Sequence, residues 1–391
     1  MNVLGPLPRS IAALTLIACA PLAHAQITAL AALGDSLTDE YSEETYSYAK
    51  NWTMQLVQYR AVNMGPTAAA AGAPGGTWGE PRRTGHQFNW ARYSADSTTL
   101  LSQGQHTGAA AQAASGAVSH AVMAIGANDF SPTTTAYFNI YWGLWSASQI
   151  DSYVNTRIAN VRAAVDTLDQ SGAGLVLCNF VDYGVAPATR QLYTSASRRD
   201  RVTAAIARVN TGIDALAREH HVMLVDLAAL GTAIFGTNSS LHQFLRIGNV
   251  NIQLFNKDTA ANSNPLAGFV DDGAHPHTTL QGVFANVMIS ALNAGWNSTY
   301  ATFTDQEILT HATIAYGGSD TLAAQIGPYS QFLHNYLCQA DFNNDNAVDF
   351  FDYDDFVHAF ELGQEAADFD KDATVDFFDY DAFVVAFETP C

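Results

Sequence analysis

The sequence has few cysteines, few basic residues and no long hydrophobic run beyond its N-terminal segment. Only 4 of its 391 residues are cysteines, and they form neither a C-x-x-C pair nor the Cys/His spacing of a zinc site. Lysine and arginine number 17 against 37 aspartates and glutamates, which gives a net charge of −20 at pH 7. Binding to nucleic-acid phosphates requires the opposite charge. A cysteine-based zinc site and nucleic-acid binding are therefore excluded.

The N-terminal segment predicts export. Arg9 precedes an apolar run over 11–18, and Ala23-His24-Ala25 has the A-x-A form of a cleavage site, so we predict a signal peptide over 1–25. The run is too short for a membrane span. A bacterial lipobox is the alternative, with Cys19 lipidated after Leu16-Ile17-Ala18. In both cases the protein leaves the cytoplasm and is secreted or held at the cell surface.

Apolar strands alternate with amphipathic helices, which predicts an α/β domain with a parallel sheet covered on both faces. Residues 238–264 have no clear periodicity and are expected to be irregular, and 301–337 to hold one short helix and a linker. We predict a catalytic domain over 26–300, an extension or linker over 301–337 and a separate module over 338–391. The predicted strands are 27–32, 118–125, 175–180 and 222–226, and the clearest helices are 151–170 and 202–216.

Ser36 follows the first strand, in Gly34-Asp35-Ser36-Leu37, and ligands bind at this end of open α/β sheets. A serine becomes a nucleophile when a base takes its proton and donors hold the oxyanion. Far downstream, Asp272 and His275 are three residues apart, so one loop lets the carboxylate orient the imidazole. Asn128, in Gly126-Ala127-Asn128-Asp129, carries a side-chain N–H suited to an oxyanion.

These three motifs, in this order, resemble those of the GDSL (SGNH) hydrolases over roughly residues 26–300. The resemblance implies a flavodoxin-like α/β/α sandwich and a serine esterase that works through an acyl-Ser36 intermediate. Ser36 would be the nucleophile, His275 the base and Asp272 the orienting carboxylate. Ser36 N–H and the Asn128 side chain would belong to the oxyanion hole, and catalysis would need no cofactor.

One motif departs from the family pattern, because Ser94 stands where a glycine N–H is expected to complete the oxyanion hole. A serine also has an N–H, but it is strained if the position needs a positive φ. One of three upstream glycines (Gly72, Gly75, Gly76) is the alternative donor. If Ser94 disables the hole, the chain would instead be a weak or inactive hydrolase fold that serves as a calcium-dependent scaffold-binding or cell-surface protein.

The substrate is left open between a small acyl ester, an acylated carbohydrate and a lipid. Residues 61–88 form a long loop with few periodic positions, in which Trp78, Arg82, Arg83 and His86 either contact substrate or pack the loop. The aromatic residues of 131–150 either line a cleft or fill a core.

The C-terminal segment contains a repeat with an offset of 27 residues, and it carries 12 Asp and 3 Glu against Lys371 alone. Each copy offers oxygen ligands at positions 1, 3, 5, 9 and 12 of a loop, a spacing suited to Ca²⁺. A helix follows each loop. The first copy provides Asp341, Asn343, Asp345, Asp349 and Asp352, and the second Asp368, Asp370, Asp372, Asp376 and Asp379.

This repeat resembles a type I dockerin, which implies two structural Ca²⁺ ions and, as a partner, a cohesin-like receptor or another cell-surface protein. The position-6 glycine of such loops is Asn346 in one copy and Ala373 in the other. Cys338 and Cys391 bracket the segment, and in an exported protein we expect them to form a disulfide. Cys178, in an apolar strand, is expected to be an inert core thiol.

Overall fold

A five-stranded sheet forms the centre of the protein, in a computed structural model that describes residues 26–259, 263–343, 347–369 and 374–388. The predicted signal peptide lies outside these ranges. The strand order is β1-β2-β3-β4-β10; β1 to β4 are parallel and β10 is antiparallel. The α/β fold with a parallel-containing sheet is thereby confirmed. The sheet strands are β1 Leu30–Gly34, β2 His120–Ala124, β3 Gly174–Cys178, β4 Met223–Val225 and β10 Leu333–Asn335.

Helices cover both faces of the sheet, because consecutive side chains of each strand point to opposite sides. On β1, Leu30 and Ala32 pack into one core, and Ala31 and Leu33 into the other. Helices α1, α8 and α9 contribute to the first core, and α3, α5 and α7 to the second. The helices are α1 Trp52–Arg60, α2 Ser97–Ser102, α3 Gln105–Ala114, α4 Thr135–Trp142, α5 Ala147–Asp169, α6 Pro187–Leu192, α7 Ala196–Glu219, α8 Leu227–Phe235, α9 Thr278–Trp296, α10 Asp305–His311, α11 Ala323–Ile326, α12 Phe350–Glu361 and α13 Phe377–Glu388.

Cys178 is buried at the end of β3 with a free thiol, and burial raises its pKa above the ordinary range, as expected of an inert core cysteine. Within the described ranges, no helix combines the length and the apolar character needed to cross a membrane.

The segment expected to be irregular, 238–264, instead contributes two small sheets, so that prediction was wrong. Strand β7 pairs with β8 across Gly248 and Asn249, which have φ of +54° and +64°. Positive φ at both central residues is the mark of a tight hairpin turn, and Gly-Asn was the overlooked signal. The strands are β5 Gly236–Thr237, β6 Ser240–Leu241, β7 Phe244–Ile247, β8 Val250–Lys257 and β9 Ala267–Phe269.

The predicted linker, 301–337, does more than connect. It holds the expected short helix as α10, and it also supplies β10, the edge strand that pairs with β4. Three residues are too few to show strand periodicity, which explains why β10 was missed.

A separate aromatic core joins the C-terminal helices α12 and α13. Phe356 stacks on Phe383, with ring centroids 3.9 Å apart and planes within 5°. Tyr353 contacts Tyr380 through their hydroxyl groups, 2.5 Å apart. Both pairs join residues 27 positions apart, which is the offset of the sequence repeat. The two copies therefore pack on each other about an approximate two-fold axis, each covering the apolar face of the other.

Candidate active site

Ser36 lies on a tight turn immediately after β1. The turn is closed by the Asp35 carbonyl, which accepts hydrogen bonds from the N–H groups of Thr38 (3.0 Å) and Asp39 (2.9 Å). Gly34 is required at the strand end, because a Cβ there would lie 2.1 Å from the carbonyl oxygen of Ala124. The turn leaves Ser36 only 4% exposed, at the carboxyl edge of the sheet.

The structure brings Ser36, His275 and Asp272 into one hydrogen-bonded line. His275 Nε2 lies 2.6 Å from Ser36 Oγ, and His275 Nδ1 contacts Asp272 Oδ2 on its other side. Ser36 and His275 are 239 residues apart in sequence, yet both are buried at this edge of the sheet. The arrangement can move the Ser36 proton onto an imidazole whose orientation a carboxylate fixes.

The loop that carries Asp272 and His275 is held by its own backbone. Asp272 Oδ1 accepts hydrogen bonds from the N–H groups of Ala274 (2.7 Å) and His275 (3.0 Å). Burial by itself would raise the pKa of the Asp272 carboxyl, but the hydrogen bond and charge of His275, together with these N–H groups, lower it below its usual value. Asp272 is therefore kept in its ionised form, which is the form that can orient the His275 imidazole.

His277 anchors this loop to the fold. It is fully buried and caps α9, with its Nδ1 accepting a hydrogen bond from the Thr278 N–H at 2.9 Å. Its Nε2 lies 3.4 Å from Asp258 Oδ2, and Asp258 is fully buried too. His277 therefore stabilises the start of α9 and does not contact Ser36.

Ser94 is carried to the same edge by a stretch that runs beside β1. The Arg92 N–H donates to the Gly34 carbonyl at 3.1 Å, so Ser94 lies two residues beyond this pairing, as Ser36 does. Its φ is +64°, in the left-handed region that favours glycine. The alternative donors Gly72, Gly75 and Gly76 lie on the long loop over 61–88, where an added Cβ would meet no atom closer than 4.0 Å. The geometry thus favours Ser94.

Asn128 is tied to the segment that contains Ser94. Its Nδ2 donates to the Ala95 carbonyl at 3.0 Å, and the amide group retains a second N–H. The adjacent Asp129 is buried and pairs with Arg157 at 2.8 Å, which fixes the start of this loop. The predicted oxyanion donors Asn128 and Ser94 therefore belong to adjoining loops.

Aromatic rings around His275 were missed by sequence analysis. Tyr46 stacks on the imidazole with centroids 4.8 Å apart and planes 28° apart. Tyr93 stacks at 5.8 Å, and Tyr41 contacts the ring edge-on at 6.1 Å. These rings pack around the imidazole and help to fix its position. No motif links residue 46 to residue 275, so no sequence signal marked this contact.

Asp35, next to the nucleophile, is buried, and its Oδ2 has no hydrogen-bond partner among the described residues. Burial raises its pKa to about 7, against the lowering effect of the Leu37 N–H. Burial thus favours the protonated form of this carboxyl beside Ser36.

The basic residues of the 61–88 loop pack against the protein. Arg83 forms ion pairs with Asp39 (3.2 Å) and Glu44 (2.6 Å), and Arg82 lies over the Trp90 ring at 4.2 Å. His86 Nδ1 contacts the Gly65 carbonyl at 2.8 Å. Of the two interpretations of this loop, packing fits these contacts better than substrate binding.

The aromatic insertion over 131–150 is divided between core and surface. Tyr137 and Tyr141 of α4 are buried, whereas Phe138 and Trp142 are each 46% exposed. Part of the insertion is thus core filler, and its exposed face is a surface patch.

The C-terminal loops form a second candidate site. Asp352 is fully buried, and its carboxylate accepts hydrogen bonds from the N–H groups of Asn343 (3.0 Å) and Asp349 (2.9 Å). Asp379, also fully buried, accepts from the N–H groups of Phe369 (2.6 Å) and Asp376 (2.8 Å). The last predicted ligand of each loop thus folds back onto the loop's start. Asp341 is buried as well, and Asp345, Asp370, Asp372 and Cys391 lie outside the described residues.

The profile of the family described as GDSL-like Lipase/Acylhydrolase matches residues 30–288, which is most of the chain and includes Ser36, Asn128, Asp272 and His275. The chain belongs to this family. It is a carboxylic ester hydrolase.

Solved structures similar to this chain include two hydrolases. The acetylxylan esterase Axe2 of Geobacillus stearothermophilus is 14% identical; the match covers 68% of this chain and 94% of that one, with a TM-score of 0.35. LAE5, an alpha/beta hydrolase enzyme from the metagenome of Lake Arreo in Spain, is 16% identical over 69% of this chain and 96% of that one, with a TM-score of 0.34. No curated protein matches the sequence. The family assignment rests on the profile.

Proposed function

We propose that the protein hydrolyses carboxylic esters through a covalent acyl intermediate on Ser36. The single observation that supports this most strongly is the 2.6 Å contact between His275 Nε2 and Ser36 Oγ, with Asp272 on the opposite imidazole nitrogen. His275 takes the Ser36 proton as Oγ attacks the ester carbonyl, and then gives it to the leaving alcohol. Water, deprotonated by the same imidazole, releases the acid and restores Ser36.

The oxyanion formed in both steps is held by N–H groups of Ser36, Ser94 and the Asn128 side chain. Hydrogen-bond donors that are already in position stabilise the negative charge as it develops. One such donor lowers the activation free energy by about 2.7–4 kcal/mol. The alternative, an inactive fold used only for binding, gains no support from a serine already within hydrogen-bond distance of its base.

The test is hydrolysis of acetyl, butyryl and octanoyl p-nitrophenyl esters by the full chain, beside Ser36→Ala and an exposed control, Ser42→Ala. We expect activity in the wild type and in the control and none above background in Ser36→Ala. Equal activity in Ser36→Ala would contradict the assignment of the nucleophile.

We also propose that the C-terminal repeat is a dockerin-like module that binds two structural Ca²⁺ ions. The chemistry of the donor set supports this, because carboxylates and an Asn side-chain oxygen are the hard ligands that Ca²⁺ prefers. The burial of Asp352 and Asp379 supports it too, because it holds the last predicted ligand of each loop against the start of that loop, where the other predicted ligands stand. The ions would join each loop to the helix that follows it.

Calorimetric titration of the full chain with Ca²⁺ tests this proposal. We expect two binding events in the wild type and one in Asp352→Asn or Asp379→Asn. Asp355→Asn removes the same charge from an exposed position on α12 and should retain both. Two unchanged events in the buried variants would refute the assigned ligands.

The setting of the enzyme is proposed from the sequence: export by the signal peptide over 1–25, with lipidation of Cys19 as the alternative, and docking of the module on a cohesin-like receptor or another cell-surface partner. Four phenylalanines support a docking role, because each is at least 66% exposed: Phe350, Phe351, Phe377 and Phe378. The mass of the exported protein's N-terminus distinguishes cleavage after Ala25 from lipidation, and surface plasmon resonance with recombinant cohesin domains tests the partner.

A further inference from the structure

A cavity of about 240 Å³ lies directly behind the catalytic loops. Leu37, the residue after the nucleophile, lines it, and so do Ala274 and Pro276, the two neighbours of His275. Tyr183 lines it as well. Burial is the main cause that raises the pKa of the Tyr183 hydroxyl, and the charges of Asp35 and Asp272 raise that pKa further. The cavity therefore borders both catalytic loops, at residues adjacent in sequence to Ser36 and His275.

Most of the cavity wall is apolar. Helix α8 contributes Leu227, Ala228, Gly231 and Phe235, which follow helical spacing, and α9 contributes Phe284. Water molecules are poorly stabilised in such a cavity, because its apolar wall offers them no hydrogen-bond partners. It suits a hydrocarbon ligand.

Four polar residues that line the cavity, Asp182, Asp200, Thr203 and Asn238, are already paired with one another. Thr203 Oγ1 donates to Asp182, and Asn238 Nδ2 donates to Thr203 Oγ1 at 3.1 Å. Asn238 Oδ1 accepts from Arg199 Nε at 3.0 Å. These groups form hydrogen bonds with one another, so they do not call for a charged or sugar ligand.

We propose that this cavity receives the acyl chain of the ester substrate, which makes the enzyme selective for medium-chain acyl groups over acetyl groups. The inference rests on the proposed function, because the carbonyl carbon must sit at Ser36 for the chain to enter beside Leu37. An acetyl group would leave the cavity unfilled. Each methylene that leaves water for an apolar site strengthens binding by about fourfold.

Gly231 offers a way to fill the cavity without disturbing the core. It lies within α8, lines the cavity, and a Cβ added there would meet no atom within 4 Å. Replacing a glycine inside a helix by leucine or alanine also favours the helix. Gly231→Leu is therefore expected to fill part of the cavity in a folded protein, and Gly231→Ala adds a single methyl group at the same position as the smaller step of a graded pair.

The experiment measures kcat/KM for acetyl, octanoyl and dodecanoyl p-nitrophenyl esters in the wild type, Gly231→Leu, Gly231→Ala and Ser36→Ala, with thermal unfolding to verify the fold. We expect the wild type to prefer the octanoyl ester. In Gly231→Leu that rate should fall by about tenfold or more, as loss of about two methylene sites implies, with acetyl hydrolysis within twofold. In Gly231→Ala the octanoyl rate should fall by a smaller factor of about fourfold or less, because one methyl group occupies at most one methylene site.

Equal effects of Gly231→Leu on the acetyl and octanoyl esters, or a wild type that prefers acetyl, would overturn the acyl-chain assignment while the esterase itself stands. Absence of any Ser36-dependent hydrolysis would instead overturn the proposed function, and the cavity assignment with it.

Discussion

The left-handed backbone at Ser94 gives a quantitative prediction. A non-glycine residue in this region costs about 1–2 kcal/mol. Ser94→Gly removes that cost but adds about 0.5–1 kcal/mol of unfolded-state entropy. It also removes the contact of the exposed Ser94 side chain with Tyr93, worth about 0.5 kcal/mol. At the midpoints of these magnitudes the net result is a gain of about 0.25 kcal/mol, within a range from a loss of about 0.5 kcal/mol to a gain of about 1 kcal/mol.

Ala61 supplies the matched control. It is exposed, ends α1 with a φ of +53°, and has no side-chain contact to lose. Ala61→Gly should therefore stabilise the protein by about 0.5–1 kcal/mol without any effect on turnover. Differential scanning calorimetry measures both gains, and ester hydrolysis measures turnover.

The same position distinguishes a role in the oxyanion hole from mere loop geometry. Ser94→Gly keeps the N–H and the positive φ, so its kcat should stay within about threefold of the wild type, far from the 10²–10³ lost with a donor. Ser94→Val should lower kcat by about 10–10²-fold, because a β-branched residue resists the left-handed region and turns the N–H away. Wild-type kcat in a folded Ser94→Val protein would refute the reasoning.

Three further predictions concern the oxyanion hole, pH and calcium. Asn128→Ala should lower kcat by about 10²–10³-fold with little change in KM, measured by steady-state hydrolysis, and near-normal kcat would contradict its role. Burial raises the pKa of Asp35 to about 7, above its ordinary value of 3.8, so the folded state binds this proton more tightly and the free energy of unfolding should fall as pH rises between those values. Asp35→Asn should flatten that slope in urea titrations, and an unchanged slope would show that other groups cause it. EDTA should lower the unfolding temperature of the C-terminal module, by the equivalent of about 4 kcal/mol if Ca²⁺ is at 1,000 times its Kd; a melt insensitive to EDTA would contradict calcium binding.

The parts of the fold with strong periodicity could be predicted from the sequence. The strands leading to Ser36 and Asn128 are continuous apolar runs, and helix α7 shows its buried face at regular spacing. Local motifs also placed Asp272 and His275 on one loop, since three residues of separation allow the contact. The structure then brings that loop to Ser36, as the family pattern implies.

Features that depend on long-range packing could not be predicted. The stacking of Tyr46 on His275 joins residues more than 200 positions apart, and β10 has only three residues. The hairpin at Gly248 and Asn249 was within reach, because its turn residues are a local signal and apolar and polar residues alternate over 250–254. The positive φ of Ser94 arises from the pairing of its segment with β1, which no local pattern reveals.

The most direct test of the central claim is covalent labelling of Ser36 by a fluorophosphonate, located by peptide mass spectrometry in the wild type and in His275→Ala. Only a serine activated by its base reacts rapidly with such a probe. We predict one adduct per chain, on Ser36, and loss of rapid labelling in His275→Ala. An unmodified Ser36 in the folded wild type, or labelling that does not depend on His275, would contradict the account.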